Sequence, residues 1–199
     1  NATANIKVSD ERSRLAEKIK TELLAFEKYQ TPEIALRYAK ALVNATYEIT
    51  DSRKIEDIAE KIKTEILEKY QTPEIAKAYA MALVIVTDEI ESAEICETIA
   101  DNFKNEYLSQ EKYQTQEIYE NYGMILYNIA ESMETSGEIL NIADRYYNDI
   151  LSNLEYRTKN IEEWYLDILD LAAKKSPNGI NDPEIRKRLK YPELQTTFV

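Results

Sequence analysis

Apolar residues recur along this chain in steps of three and four. One run is Ile34, Tyr38, Ala41, Leu42, Ala45 and Ile49. The next is Ile75, Tyr79, Ala82, Leu83, Val86 and Ile90, followed by Ile118, Tyr122, Ile125, Leu126, Ile129 and Met133. A last run is Ile161, Tyr165, Ile168, Leu169 and Ala172. The period is near 3.6, that of a helix with one buried face, not the 2 of a strand. A second kind of run lies between these, beginning with Ile55, Ile58, Ala59, Ile62, Ile66 and Leu67. The spacing predicts helices of roughly 15–19 residues, or ~25 Å each. Polar turns near Asp51–Ser52, Glu91–Ser92 and Thr135–Gly137 separate the two kinds. Connections this short make neighbouring helices antiparallel.

The pattern is a repeat. The string EKYQT occurs at Glu27–Thr31, Glu68–Thr72 and Glu111–Thr115, with a degenerate copy at Leu154–Thr158. From Tyr29 to Tyr70, Tyr113 and Tyr156 the steps are 41, 43 and 43 residues. A second marker is the alanine that opens AEKIKTELL, AEKIKTEIL, ADNFKNEYL and ADRYYNDIL, at Ala16, Ala59, Ala100 and Ala143. The short step comes from two residues missing before Glu68. A fixed period of this length marks stacked helical pairs. The first helix of each pair starts at the threonine, whose hydroxyl caps a free backbone N–H. Pro32 and Pro73 follow at the first helical position, where no N–H is needed. Glu33 and Glu74 complement the helix dipole.

The chain opens in the phase of a second-type helix, about Ser9 to Phe26, and closes with a first-type helix, about Lys159 to Lys175. Three complete pairs and two half-repeats follow from this phase, with seven long helices expected. After Ser176-Pro177-Asn178-Gly179, Asp182 is placed to cap a short helix from Pro183 to about Lys190. The expected organisation is a tail or tag remnant over 1–8, a helical repeat domain over 9–175, and a C-terminal cap and tail over 176–199. The first residue is Asn, which reads as a trimmed end. Open solenoid ends expose apolar surface. So either residues 1–8 cover the N-terminal end, or further repeats precede it.

The start Pro32-Glu33-Ile34-Ala35, repeated as Pro73-Glu74-Ile75-Ala76, resembles tetratricopeptide-like repeats. The nearest form is the long 42-residue repeat of kinesin light chains. Ala59, Ala100 and Ala143 match that family's small residue early in its second helix. Two departures stand out: the first-helix glycine is represented only near Gly123, and the closing proline instead begins the next helix. The resemblance covers residues 9–175 and implies an all-α, right-handed α-α superhelix. Its first-type helices would line a concave groove.

Composition narrows the chemistry. The chain has 199 residues, 3 glycines, one cysteine and no histidine. A zinc site of the usual ligands, a His-based triad and an intrachain disulfide are excluded. Glycine is too scarce for phosphate-cradling loops. With 37 acidic and 25 basic side chains, the net charge of −12 disfavours nucleic acid and anionic membranes. No apolar run is long enough to span a bilayer, and the expectation is a cytoplasmic protein. Cys96, beside Ile95 and Ile99, reads as a small buried hydrophobe. Asn44-Ala45-Thr46 matches a glycosylation sequon but lies inside a helix. Arg186-Lys187-Arg188 with Lys190 is the one basic cluster, placed to favour a helix C-terminus or to dock on the acidic body. No catalytic, cofactor or metal residue is singled out, and no enzyme activity is expected.

Positions that stay apolar in every copy read as core, including Tyr38, Tyr79, Tyr122 and Tyr165. Tyr119 stands where Ala35 and Ala76 stand, so the aromatics of the second half also read as a bulkier core. A neighbouring stripe varies: Glu33, Arg37, Lys40, Asn44; Glu74, Ala78, Met81, Ile85; Glu117, Asn121, Met124, Asn128; Asn160, Trp164, Asp167, Leu171. As a groove lining it offers cations in Arg37 and Lys40 and amides in Asn44, Asn121 and Asn128. Met81, Met124 and Trp164 would accept apolar anchors. The plain alternative is a half-exposed helix flank. Three functions fit: a scaffold binding a peptide or helix in the groove; a structural module stacking end to end or self-associating through its N-terminal face; and a small-molecule-binding helical domain with a pocket among the later aromatics.

Overall fold

The computed structural model describes residues 14, 17–27, 30–47, 49 and 52–190. Among them every regular element is helical and no strand occurs. The first-type helices are α2 (Pro32–Thr46), α4 (Pro73–Glu89), α6 (Gln116–Ser132) and α8 (Lys159–Lys175). The second-type helices are α1 (17–24), α3 (52–70), α5 (93–108) and α7 (136–151). The short α9 spans Pro183–Leu189. The described residues thus hold eight long helices, where seven were expected, because each half-repeat adds one helix to the six of the three pairs. The earlier part of the expected first helix and the tails over 1–8 and 191–199 lie outside the described residues.

The four threonines act as expected. Thr31, Thr72, Thr115 and Thr158 are extended, and each hydroxyl accepts the N–H three residues on, from Ile34, Ile75, Ile118 and Ile161. Thr135 does the same for α7, and Glu138 reaches back to its N–H in a reciprocal capping box. Thr115→Ala is expected to cost about 1 kcal/mol of stability, read as a lower urea midpoint; an unchanged midpoint would contradict the role.

Every second-type helix contains a π-helical stretch, at Lys20–Leu24, Ile62–Leu67, Lys104–Leu108 and Tyr147–Leu151. All four occupy the same place in the repeat, within eight residues of the marker alanine. The π turn is wider and rotates less per residue than an α turn. Two adjacent apolar side chains then face inward at its end: Ile66 with Leu67, Tyr107 with Leu108, Ile150 with Leu151. After α3 the two missing residues leave only Gln71 and Thr72 before Pro73. Gln71 takes the left-handed conformation, φ 51°, to turn the chain so tightly.

The chain divides into two compact units that interleave in sequence: Asn1–Ile90 with Phe103–Gln114, and Glu91–Asn102 with Thr115–Val199. In the first unit α2 packs on α3 and α4, and α3 packs on α4. Tyr38, Ala39, Leu42, Ile62, Ile66, Ile75 and Tyr79 fill its core. An aromatic chain continues it, with Tyr79, Phe103 and Tyr107 mutually in contact at 5.4–6.0 Å and Tyr113 following at 5.6 Å. In the second unit α6, α7 and α8 pack on one another, and α9 covers α8. Its core holds Tyr122, Ile125, Leu126, Tyr146, Tyr165 and Ile168. Asp182 caps α9 by accepting the Glu184 N–H at 2.9 Å. From α9, Arg188 grips Asp144 with two bonds of 2.7 and 2.6 Å, so one member of the basic cluster docks on the acidic body.

The tyrosine stripe, Tyr119 and Cys96 are buried as expected. Two readings need correction. Ile95 is 51% exposed, because Cys96, Ala100 and Phe103 form the inward face of α5 and Ile95 lies off it. Ala78, placed on the variable stripe, is only 6% exposed, since α4 is covered on more than one side.

Candidate interaction surface

The variable stripe is divided by the structure. On α2, Arg37, Lys40 and Asn44 are exposed and share one face. On α4, Met81 is 38% exposed and Ile85 half-buried.

The second unit brings its members closer. Asn121, Met124 and Asn128 are half-buried along one flank of α6, and Trp164 is half-buried on the adjoining α8. Asn121 folds its amide back onto the Glu117 carbonyl at 3.0 Å. Trp164 meets Tyr127 of α6, with ring centroids 4.9 Å apart and planes at 58°. Tyr127 was not on the predicted stripe. Its signal was present, though: the same repeat position holds valine in the first two copies, Val43 and Val84. The Tyr127 hydroxyl donates to Glu131 at 2.9 Å. Its pKa is pushed up to about 12, first by burial, then by the Glu131 bond and charge and by Asp167 and Asp170. Asp167 lies one turn beyond Trp164. Its own pKa is raised by desolvation, then by Asp170 and Glu163, with Lys174 opposing them in part. Those two neighbours have lysine partners, Lys174–Asp170 at 2.7 Å and Lys159–Glu163 at 3.0 Å. Asp167 has no ion pair among the described residues.

A second set of polar residues was missed entirely, and it ties the two helices of a pair together and one repeat to the next. The buried Tyr38 hydroxyl donates to Glu65 at 3.3 Å, and the Tyr122 hydroxyl donates to Asp149 at 2.9 Å, each 27 residues on. Both carboxylates lie on π stretches. Burial, before any neighbouring charge, raises the pKa of both phenols and keeps them protonated donors. A lysine of the preceding second-type helix pairs with the carboxylate at this place in the π stretch: Lys20 with Glu65 at 2.8 Å and Lys63 with Glu106 at 2.7 Å. In the second unit Arg145 takes the cation's place, donating to the Tyr122 hydroxyl at 3.0 and 2.8 Å and pairing with Asp101 and Asp149.

The EKYQT motif makes a parallel ladder. Gln30 and Gln114 donate their amides to the carbonyls of Leu24 and Leu108 at the ends of the preceding helices. Lys69 then donates to Gln30 at 2.7 Å, and Lys112 to Gln71 at 2.9 Å. In the degenerate copy Arg157 replaces the glutamine and pairs with buried Glu162, which replaces Ala35 and Ala76. These sets are structural: each polar group is consumed by its neighbour.

A cleft of about 430 Å³ lies in the first unit, lined by Lys20, Leu24, Tyr38, Glu65, Lys69 and Tyr70 among others. It is not among the later aromatics, where a pocket was expected. Among the described residues no group of three or more His, Cys, Asp or Glu could hold a metal ion, and no helix is long and apolar enough to cross a membrane. Neither a family model, nor a curated protein, nor a solved structure is similar to this chain.

Proposed function

We propose that this chain is a protein-interaction module built from tetratricopeptide-like repeats of the long, kinesin-light-chain type, and that it takes up a peptide or helix along the flank of its first-type helices. The observation that carries this reading is the half-exposed Trp164–Tyr127 pair between α6 and α8, flanked by Met124, Asn121 and Asn128. Large aromatic rings at a helix–helix seam supply contact area at little entropic cost, and amides beside them suit a peptide backbone. The stripe predicted from the sequence also includes Arg37, Lys40, Asn44 and Met81, and in the first unit these are proposed as a separate face of the same kind. A display library of short peptides tests it: Trp164→Ala with Met124→Ala is expected to abolish capture of selected peptides while circular dichroism stays helical. Retained capture would remove this face from the function.

A second reading, a structural module that stacks end to end, is favoured by the contacts between repeats. Lys20–Glu65 and Lys63–Glu106 use equivalent positions, as do Lys69–Gln30 and Lys112–Gln71. A repeat interface that reuses its residues extends by simple addition. Light scattering of the protein at rising concentration separates the two: a constant monomer mass rules out self-stacking.

A further inference from the structure

The aromatic pair on α6 and α8 lies in an acidic setting that is only partly neutralised. Glu163, Asp167 and Asp170 project from α8, and Glu131 lies beneath the Tyr127 hydroxyl. Lys159 and Lys174 make close ion pairs with Glu163 and Asp170, while Asp167 feels Lys174 only at longer range and makes no close ion pair among the described residues. Asp167 follows Trp164 by three residues, so the two side chains share one face of α8. A ring face and an exposed carboxylate without a close ion pair, side by side, define a narrow class of ligand. The ring attracts a cation electrostatically, most strongly when the ring is tryptophan. The carboxylate offers two acceptor oxygens to a forked donor. A guanidinium satisfies both at once, because it stacks on a ring while donating in its own plane; an ammonium offers a point charge and cannot stack.

We propose that the α6–α8 face receives an arginine side chain of a basic peptide, stacked on Trp164 and bonded to Asp167. The proposal rests on the reading of this face as an interaction surface and names what it selects. Partial desolvation and the like charges of Asp170 and Glu163 already oppose the negative charge of Asp167 in the free protein, and an arriving cation offsets both. Glu163 and Asp170 set the general sign of the potential, while Asp167 supplies the specific contact. The partner therefore carries arginine, and a lysine substitute binds less well.

The protein has a single tryptophan, so its fluorescence reports this face directly. The probes are capped heptapeptides in which alanine alternates with arginine, with lysine, or with glutamate. A fourth replaces the charged residue with leucine. The arginine peptide is expected to shift Trp164 emission and the glutamate peptide to leave it unchanged. In an anisotropy titration with labelled arginine peptide, Asp167→Asn is expected to weaken binding about tenfold or more, as loss of a charge-assisted bond does. Asp57→Asn, an equal charge change on the exposed surface of α3, is expected to weaken it less than about twofold, as a screened distant charge does. Trp164→Leu keeps apolar bulk without the ring face and is also expected to lose the preference for arginine over lysine. Equal losses in Asp167→Asn and Asp57→Asn would overturn the proposal, since general attraction to an acidic surface would then explain the binding. If the leucine peptide binds through Trp164 and Asp167→Asn has no effect, the interaction surface stands and its arginine selectivity falls. If no peptide perturbs Trp164, both fall.

Discussion

Gly123→Ala destabilises the protein by about 2 kcal/mol, although alanine is the better helix former. The helix gains about 1 kcal/mol from the exchange. Against this, a Cβ at residue 123 would lie 2.6 Å from the Tyr146 hydroxyl and 3.1 Å from two of its ring carbons. Tyr146 has no room to withdraw. It is fully buried, and its hydroxyl donates to the Ile161 carbonyl at 2.9 Å. Overpacking of a rigid ring in a closed core costs about 3 kcal/mol. For a chain of this size the net loss appears as a fall of about 4–8 °C in Tm. The earlier copies have Ala39 and Ala80 at the glycine position, where the second helix has Ile62 and Phe103 in place of Tyr146. The ring has grown along the repeats and the facing position has shrunk. Tyr146→Phe removes the atom in worst conflict, so the double variant should be more stable than the sum of the two single changes predicts, by about 1 kcal/mol. Strict additivity would show that the two side chains do not compete for this space.

Arg145 carries the other large effect. It stands among Tyr122, Asp149 and Asp101, with Asp149 12% exposed and Arg145 itself 18%. Removing the cation takes a charged partner from a carboxylate with little water around it, and breaking a buried pair in this way costs about 3–5 kcal/mol. Arg145→Met is therefore expected to lower the urea midpoint sharply. Arg145→Lys should recover only part of the loss, because an ammonium cannot donate two bonds to Tyr122 and reach both carboxylates. Adding Asp149→Asn to Arg145→Met should recover more than about 1 kcal/mol, since the poorly hydrated charge is then gone. If the double variant is no better than Arg145→Met alone, the loss comes from side-chain packing and the electrostatic account fails.

Much of this is legible in the sequence alone. The helices, their threonine caps, the buried tyrosine stripe and the short helix begun at Asp182 follow from local rules. A hydroxyl reaches an N–H three residues away, and a 3.6-residue period selects a face, whatever the rest of the molecule does. The compensation between Gly123 and Tyr146 shows in the aligned copies only once the packing has named the pair. The candidate surface was half readable. Trp164, Met124, Asn121 and Asn128 stood on one stripe, but Tyr127, one residue off it, was sorted with the core aromatics.

Other features depend on which helices meet and at what height. Tyr38 finds Glu65, and Tyr122 finds Asp149, across a gap of 27 residues that contains a turn and most of two helices. The π stretches also escaped the pattern, because one wider turn disturbs a hydrophobic period no more than an ordinary irregularity does. Ile95 could not be told from Cys96 by composition; only the packing of α5 decided which of two neighbouring apolar residues turned inward. By itself, the sequence determined that this chain is a run of capped, amphipathic helices with a period near 42 residues. Tertiary structure decided which polar groups the repeats consume in holding together, and which pair of rings they leave at the surface. The reason is physical: caps and helical faces are set by bonds within a few residues, while side-chain partners are set by distances that exist only once the helices are packed.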